Sequence, residues 1–407
     1  MDAAILVSFG LVYLGMILGE IPGLALDRTG VALLGAIAVV ALGTAPLEQA
    51  WSAVDMPTLY LLFGMMVVSA QFRLAGFYTR VTQELIEAGG SPAALLGLVV
   101  AVAGVLSAIL TNDIVCLAMA PVIAEGCARR RLDPVPFLIA LACASNVGSA
   151  ATLIGNPQNI LIGQTLQLHF AEFLLDAAIP ALLGLAATWA IIARRFRGRW
   201  QREVELPAVR VPAFDRWQTA KGVAIVVVLM VAFLFFHRVP RDGVALLCAG
   251  VLLLSRRMAS RDMLALVDWQ LLVLFIGLFI VNDAFQRTGA MNHALDSLAA
   301  WGIDAAKPTA LFGLSVFLSN VVSNVPATMM LLPSATHPLA GATLALSSTL
   351  AGNLLIVGSI ANIIVVTSAR SLGITIDFRT HARIGVPVTL ATLAIAAAWL
   401  GIRSAWA

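Results

Sequence analysis

Long apolar runs recur along the sequence, and they constrain its fold more than any other feature. Each run is roughly 17 to 25 residues long, enough for a helix to cross a hydrocarbon core about 30 Å thick. Hydrophobic residues make up 60% of the chain and charged residues 12%, which leaves too little polar surface for a soluble domain. The sequence therefore predicts an all-α polytopic membrane protein without a separate soluble domain.

The apolar runs predict five crossings in each half of the chain. They are residues 3–19, 29–46, 56–73, 134–168 and 172–193, then 218–236, 242–255, 268–286, 340–369 and 384–402. The crossings 134–168 and 340–369 exceed one span because polar residues interrupt them, so we expect broken helices there. Two further apolar stretches, 92–127 and 308–335, contain a polar turn. Each predicts a re-entrant hairpin that enters and leaves the membrane on one side.

The distribution of Lys and Arg predicts the orientation of the chain. The chain has 25 such residues, and when both hairpins re-enter rather than cross, all but five fall on one side, which is expected to be cytoplasmic. The five on the other side are Arg238, Arg241, Arg287, Lys307 and Arg403. The sequence thus predicts a multi-pass protein of the cytoplasmic (inner) membrane with both termini extracytoplasmic.

An internal repeat divides the chain in two. Residues 28–34, RTGVALL, recur at 241–247 as RDGVALL, and further along Asn112 corresponds to Asn324. With five crossings in each half, the second copy must be inverted relative to the first, an arrangement typical of secondary transporters. We predict a first inverted repeat at 1–193, a basic cytoplasmic linker at 194–216 and a second inverted repeat at 217–407.

Polar side chains cluster at four interruptions of the apolar pattern, two in each repeat. A broken helix can lie at membrane depth only where protein covers it or where it lines a wet cavity. Half-helix N-termini favour anions, and the carboxamide of Asn both donates and accepts hydrogen bonds. We therefore expect solute binding there, although the same residues could instead only cap half-helices and join helices together. The candidate solute-binding residues are Thr111, Asn112, Ser145, Asn146, Asn156, Asn159, Ser323, Asn324, Asn353 and Asn362.

One carboxylate, Asp113, lies in the turn of the first hairpin, where the second repeat has Val325. A charged group at membrane depth is costly unless it is neutralised, paired or hydrated. Asp113 is therefore predicted to be a cation ligand or a proton carrier. The alternative is an ordinary N-cap of the half-helix that follows.

Several classes of function have no signature in the sequence. The five histidines fall in loops or at the ends of spans, and the four cysteines show no CxxC spacing, so no metal site is predicted. We find no GxSxG, Walker-type or HExxH motif. Because the net charge of +3 is small, nucleic acid is not an expected partner. We predict no enzymatic activity and no cofactor, apart from a Na⁺ ion that could bind.

The interruptions resemble motifs of the ion transporter superfamily, which includes divalent anion/sodium symporters and arsenite permeases. The resemblance runs across nearly the whole chain. It is carried by Thr111-Asn112-Asp113, 155–159 (GNPQN), 323–328 (SNVPAT) and 352–362 (GNLLIVGSIAN). Asp113 and Val325 stand where the family pattern has a hydroxyl residue. This departure favours the arsenite-permease-like or uncharacterised anion-permease branches over dicarboxylate symporters.

The resemblance implies a scaffold domain that dimerises and a transport domain that moves as an elevator. The transport domain would contain the two hairpins and the two broken helices. In sodium-coupled members of the superfamily, hairpin turns and helix breaks hold the cations. The resemblance therefore places Gly155 and Gly358 beside Asp113 as candidate residues for a coupling ion.

Together these features predict a secondary active transporter for a small anion or oxyacid, driven by a proton or sodium gradient. Efflux of arsenite or antimonite is one alternative, because a neutral metalloid acid needs hydrogen bonds but no fixed cation. Sodium/proton exchange is another, and it would require Asp113 to titrate. A channel is a less favoured alternative, since broken helices also build selectivity filters. The expected partners are the small-molecule solute, membrane lipid and a second copy of the chain in a homodimer.

Overall fold

The computed structural model of the protein describes residues 2–19, 23–42, 46–88, 90–204, 206, 212–236 and 238–405. Within these ranges the secondary structure is helical, and the β structure is limited to one isolated bridge between Leu132 and Gln201. The predicted all-α class is confirmed.

The first half of the chain contains both a hairpin and a broken crossing, as predicted. Its helices are α1 (Asp2–Leu18), α2 (Arg28–Ala41), α3 (Leu47–Ser52), α4 (Met56–Leu74), α5 (Phe77–Glu87), α6 (Pro92–Ile109), α7 (Asn112–Arg129), α8 (Pro134–Ser149), α9 (Pro157–Thr165) and α10 (Phe170–Arg195). The two arms of the hairpin are α6 and α7. The broken crossing consists of α8 and α9.

The second half has the same order of elements. Its helices are α11 (Arg216–Phe235), α12 (Arg241–Leu253), α13 (Ser260–Leu264), α14 (Trp269–Arg287), α15 (Ala290–Ala300), α16 (Pro308–Val322), α17 (Asn324–Leu331), α18 (Ala340–Ala351), α19 (Ile360–Ser371) and α20 (Phe378–Ser404). The hairpin is formed by α16 and α17, and the broken crossing by α18 and α19. The number of residues from the start of α2 to that of α12, from α4 to α14 and from α5 to α15 is the same. The repeat seen in the sequence is therefore also present in the positions of the helices. Inversion of the second copy in the membrane stays a prediction.

Capping residues explain where several helices begin. Asp55 accepts a hydrogen bond from the backbone N–H of Thr58 (3.2 Å), and Asp268 accepts one from Leu271 (2.9 Å). These aspartates fill the N-cap positions of α4 and α14. Asp377 caps α20 in the same way, which is why this helix begins at Phe378 and not at residue 384 as its apolar pattern predicts.

Helices α5 and α15 do not follow from the apolar runs. Each has 11 residues and follows a glycine with left-handed backbone, Gly76 at φ 69° and Gly289 at φ 74°. A glycine adopts this conformation without the steric cost that a Cβ imposes. This turn allows the short helix α5 to start directly after α4, and α15 directly after α14.

The two halves pack into each other through close crossings at glycine. A Cβ on Gly64 of α4 would lie 2.8 Å from the carbonyl carbon of Ala245 in α12, and a Cβ on Gly277 of α14 would lie 2.7 Å from that of Ala32 in α2. Small residues at such crossings allow helix backbones to approach closely within a membrane. A helix of each half therefore packs directly on a helix of the other.

The lengths of the described helices fit an integral membrane protein. Six are long and apolar enough to cross a bilayer, namely α4, α6, α10, α11, α14 and α20, and six shorter ones of 10–17 residues are also apolar. Helix α2 has 14 residues, which at 1.5 Å per residue is about 21 Å, shorter than the predicted crossing 29–46. Residues 43–45 of that crossing lie outside the described residues.

The first part of the predicted linker folds back onto the loop between α7 and α8. The N–H of Asp133 donates to the carbonyl of Trp200 (2.8 Å), and the N–H of Arg202 donates to the carbonyl of Arg131 (3.1 Å). Residues 205 and 207–211 lie outside the described part of the chain. The linker is therefore anchored to the first half where it leaves α10.

Candidate solute-binding site

The two broken crossings meet at their breaks. Asn146, in the last turn of α8, donates through Nδ2 to Oδ1 of Asn353 (2.8 Å) and, at 3.3 Å, to Oδ1 of Asn362. Its own Oδ1 accepts a hydrogen bond from Oγ of Ser359 (2.9 Å). All four residues are at most 5% exposed. The structure thus places residues from matched positions of the two repeats in direct contact.

The tip of the first hairpin joins this cluster. Asn112 donates through Nδ2 to Oδ1 of Asn146 (3.4 Å), and its backbone N–H donates to the carbonyl of Gly155 (3.1 Å). Oγ of Ser145 donates to the carbonyl of Asn112 (3.1 Å), and Ser145 also bonds Ser107 of α6 (2.8 Å). The hairpin turn and the first helix break therefore form one hydrogen-bonded unit.

The second hairpin approaches the second break in an equivalent manner. With its amide oriented to donate, Asn324 lies 3.3 Å from the carbonyl oxygen of Gly358 and 3.1 Å from that of Ser348. Gly358 corresponds to Gly155 in the repeat, so the asparagine of each hairpin contacts the equivalent glycine of its own half. Ser323, at the turn, has φ 81° and ψ 161°, a region that is strained for a residue with a Cβ.

Two of the predicted asparagines hold the broken backbone together. Nδ2 of Asn159 donates to the carbonyl of Thr152 (2.8 Å). Nδ2 of Asn362 donates to the carbonyls of Gly352 (2.8 Å) and Leu355 (2.9 Å). These donors satisfy carbonyls left without helical partners where α8 and α18 end. The amide nitrogens of Asn159 and Asn362 are therefore occupied by the protein itself.

A second polar cluster lies at the N-terminus of α9. Asn156 is the N-cap of α9 and accepts a hydrogen bond from the N–H of Asn159 (2.9 Å). Its Nδ2 donates to Oγ of Ser149 (2.9 Å) and, at 3.3 Å, to Oγ1 of Thr349 on α18. Gln158 donates to the same Thr349 oxygen (3.1 Å). This cluster also joins the two halves, but it does so beside the Asn146 cluster and not within it.

The approach of the first break to α6 requires Gly155. A Cβ at this position would lie 2.4 Å from the carbonyl oxygen of Ser149 and 2.7 Å from that of Ser107. Both are backbone atoms that cannot rotate away. At Gly358, the nearest atom to a Cβ would be the carbonyl oxygen of Gly352, at 3.0 Å. Carbonyl oxygens thus converge on both glycines, while their assignment to a coupling ion stays a prediction.

Asp113 does not cap its helix, so the capping alternative is wrong. The N-cap position of α7 is Thr111, two residues before Asp113. Thr111 instead bonds Oγ of Ser69 on α4 through both its N–H (3.2 Å) and its hydroxyl (3.0 Å). The carboxylate of Asp113 is half-buried in the first turn of α7.

Two buried polar atoms at the junction have no protein partner among the described residues. They are Oδ1 of Asn112, an acceptor, and Nδ2 of Asn353, a donor. Asn112, Asn146 and Asn353 form a chain of three carboxamides through their hydrogen bonds, and the two unpartnered atoms are its ends. No lysine or arginine in the described ranges is buried. The junction therefore presents hydrogen-bonding groups without a fixed positive charge.

Several residues of this network are missing from the sequence prediction. Ser359 could have been predicted from the repeat, because it follows Gly358 as Asn156 follows Gly155. Thr349 and His381 had none that a single sequence provides, although Nε2 of His381 lies 3.1 Å from the carbonyl oxygen of Asn353.

Ser69 and its repeat counterpart Asn282 were also missed. Asn282 of α14 accepts a hydrogen bond from the hydroxyl of Tyr13 (2.8 Å), and the same hydroxyl lies 3.5 Å from the carbonyl oxygen of Pro326 in the second hairpin. Equivalent positions of α4 and α14 thus supply a polar side chain beside each hairpin. A lone polar residue in an apolar helix carries no sequence signal for such a contact.

Apolar helices, paired helix breaks and hairpins that meet at a buried polar cluster define a membrane transporter. The Alcanivorax borkumensis YdaH transporter has a similar fold, with a TM-score of 0.58, 14% identity and coverage of 99% of this chain and 97% of that one. The chain belongs to the citrate transporter family, whose model matches residues 13–343. The predicted resemblance to the ion transporter superfamily is confirmed.

Relatives in other organisms match over nearly their full length. The chain is 30% identical over 405 residues to a "46 kDa membrane protein" of Mycobacterium leprae (strain TN), covering 93% of this chain and 94% of the relative. It is 26% identical over 468 residues to a silicon efflux transporter of Oryza sativa subsp. japonica, covering 97% and 96%. The similarity therefore spans nearly the whole chain.

Proposed function

We propose that the protein is a secondary active transporter that moves a small anion or oxyacid across the cytoplasmic membrane, coupled to a proton or sodium gradient. The observation that carries the proposal is the chain of three carboxamides at the junction of the two broken helices. Its free donor, Nδ2 of Asn353, would bond an oxygen of the solute. Its free acceptor, Oδ1 of Asn112, would bond a hydroxyl of the solute.

The chemistry of these two atoms favours a hydroxylated acid over a fully deprotonated anion. A sulfate-like dianion offers only acceptors and would leave Oδ1 of Asn112 unpaired, which costs about 1–3 kcal/mol for a buried group. A neutral hydroxide of arsenic, antimony or silicon donates and accepts, and it needs no buried cation. Metalloid efflux is therefore the second candidate function. The silicon efflux transporter among the relatives supports it.

Coupling would depend on Asp113. Its carboxylate lies at the hairpin tip, directly after Asn112. Binding a proton or a Na⁺ ion would neutralise a charge that is costly at membrane depth. The carbonyl oxygens near Gly155 and Gly358 offer further ligands to a cation. Sodium/proton exchange without a solute is the alternative that this arrangement leaves open.

The proposed movement follows from how the polar contacts are distributed. We propose that the hairpins and broken helices move together as a transport domain against a scaffold that includes α1, α4 and α14, in a homodimer. Thr111 of the first hairpin donates hydrogen bonds to Ser69, and Tyr13 donates towards the second hairpin. These hydrogen bonds would then break and re-form in each transport cycle.

Reconstituted flux measurements test the proposal. Proteoliposomes would be assayed with sulfate, phosphate, dicarboxylates and arsenite under separate proton and sodium gradients. We expect gradient-driven, concentrative transport of at least one of these solutes. Asn353→Ala should weaken its apparent affinity by up to roughly tenfold, since it removes one hydrogen bond. The matched control is Asn292→Ala on α15, an exposed asparagine outside the carboxamide chain.

Two results would count against the proposal. Downhill flux that never exceeds equilibrium would indicate a channel. Equal apparent affinities in Asn353→Ala and Asn292→Ala would place the solute elsewhere in the protein. Exchange of Na⁺ for protons with no solute requirement would support the antiporter alternative.

A further inference from the structure

A cavity lies away from the carboxamide chain, where the end of α9 meets the first turns of α10 and α12. It has a volume of about 450 Å³. Its wall includes the rings of Phe170, Phe233 and Phe236 on one side and a group of polar side chains on the other. Such a combination of an apolar wall and convergent polar groups is typical of ligand sites.

Hydrogen-bond donors dominate the polar wall. Arg241 is half-buried and donates through Nη2 to the carbonyl of Gly163 in α9 (2.8 Å). Arg238 lines the mouth of the cavity and is exposed. Gln164 is only 6% exposed, yet its Nε2 has no partner among the described residues. A buried donor without a partner is costly, and here it lines a cavity large enough for a ligand.

The charges of the wall favour an anion. Among the described residues that line the cavity, two are arginines and one is an acid, Asp242; the imidazole of His169 also lies in the wall and interacts with other groups of the protein. Arg238 and Arg241 are also two of the five basic residues on the predicted extracytoplasmic side, where arginine is disfavoured. An anion bound in the cavity would account for the presence of both arginines on that side.

We propose that this cavity binds a phosphate-type oxyanion, presented either by a phospholipid headgroup or as free phosphate. The guanidinium of Arg238 and Nε2 of Gln164 would donate to its oxygens, as charge-assisted and neutral hydrogen bonds respectively. Arg241 would add a second positive charge while it keeps its bond to Gly163. The phenylalanine rings would cover the ester side of a lipid headgroup.

Helix α9 runs from the cavity to the proposed transport site. Helix α9 has nine residues, or about 13 Å of length, with Gly163 and Gln164 at the cavity and the Asn156 N-cap at its other end. Arg241 belongs to α12 in the second half of the chain. An anion held between α12 and α9 would therefore stabilise the arrangement of the two halves that the structure shows.

Thermal unfolding of the purified full-length protein tests the proposal. The probes are inorganic phosphate, short-chain phosphatidylglycerol and, as the control without a phosphate group, a short-chain diacylglycerol. The variants are Arg238→Gln and Gln164→Leu. The matched control is Lys307→Gln, which removes an exposed positive charge on the same predicted side but outside the cavity. A ligand that binds the folded state raises Tm by an amount that grows with the ratio of its free concentration to its Kd.

We expect phosphate or phosphatidylglycerol, but not the diacylglycerol, to raise the Tm of the unsubstituted protein. The apparent Kd should weaken by roughly tenfold or more in Arg238→Gln, because one charge-assisted bond is lost. It should also weaken in Gln164→Leu and stay unchanged in Lys307→Gln. Which of the two anionic probes acts identifies the source of the phosphate.

Three results would overturn the proposal. The first is no Tm shift with either anionic probe. The second is an equal shift in the unsubstituted protein and in Arg238→Gln. The third is a phosphate response that Asn353→Ala removes and Arg238→Gln keeps, because phosphate would then bind at the carboxamide chain.

Discussion

Removing the side chain of Asn146 should destabilise the protein even in the absence of solute. Asn146→Ala breaks two short bonds, to Asn353 (2.8 Å) and from Ser359 (2.9 Å), and two longer ones that contribute little. A buried polar group left without a partner costs about 1–3 kcal/mol, and single hydrogen bonds between membrane helices average about 0.6 kcal/mol. With two groups deprived of a strong partner, we expect a loss of about 2–4 kcal/mol.

Asn320→Ala provides the matched control, because it deletes the same atoms from a neighbouring helix. Nδ2 of Asn320 bonds only the carbonyl of Val316 (3.0 Å) within α16, and its Oδ1 has no partner in the described part of the chain. We expect a change below about 1 kcal/mol. Unfolding in mixed micelles with increasing SDS, followed by circular dichroism, compares the two. Equal stability of Asn146→Ala and Asn320→Ala would refute the hydrogen-bond geometry at the junction.

Other positions yield sharp contrasts. Gly155→Ala should prevent correct folding, since its Cβ would meet backbone oxygen at 2.4 Å, whereas Gly313→Ala has nothing within 4 Å; a monodisperse size-exclusion peak for both would contradict this. Asp113→Asn should abolish dependence on the driving gradient while solute binding persists, as flux with and without the gradient would reveal; unchanged dependence removes Asp113 from the mechanism. Hydrogen bonds from Thr380 lower the pKa of the Asp377 carboxyl, so its stabilising effect is present at neutral pH and is lost as the pH falls through that lowered pKa. Tm should therefore decline less on acidification in Asp377→Ala; parallel declines would argue against the cap.

The sequence predicted the helix breaks well because their signals are local. Glycine, asparagine and proline within an apolar run, as at 155–157, cannot continue a membrane helix, and Pro157 indeed takes the first position of α9. Repeat matching identified Asn146 and Asn353 as equivalent. It could not predict that they bond each other, since that depends on how α8 and α18 pack across the two halves.

Other features depend on distant contacts or on single positions and so could not be predicted. Helices α5 and α15 have no long apolar run, and their start depends on the backbone of Gly76 and Gly289. Ser69 is one hydroxyl in an apolar helix, and its contact with Thr111 exists only because the first hairpin folds back onto α4. The unpartnered Oδ1 of Asn112 and Nδ2 of Asn353 could be recognised only from the complete hydrogen-bond network.

The close crossings at glycine also bear on how the protein is made. Gly64 packs on Ala245, and Gly277 packs on Ala32, so the surface of α4 that contains Gly64 remains uncovered until α12 has been synthesised. During translation the Gly64 surface of α4 therefore stays uncovered until the second half is inserted. We expect residues 1–193 alone to be degraded in cells. Co-expression of the two halves, separated within 207–211, should restore both to the membrane.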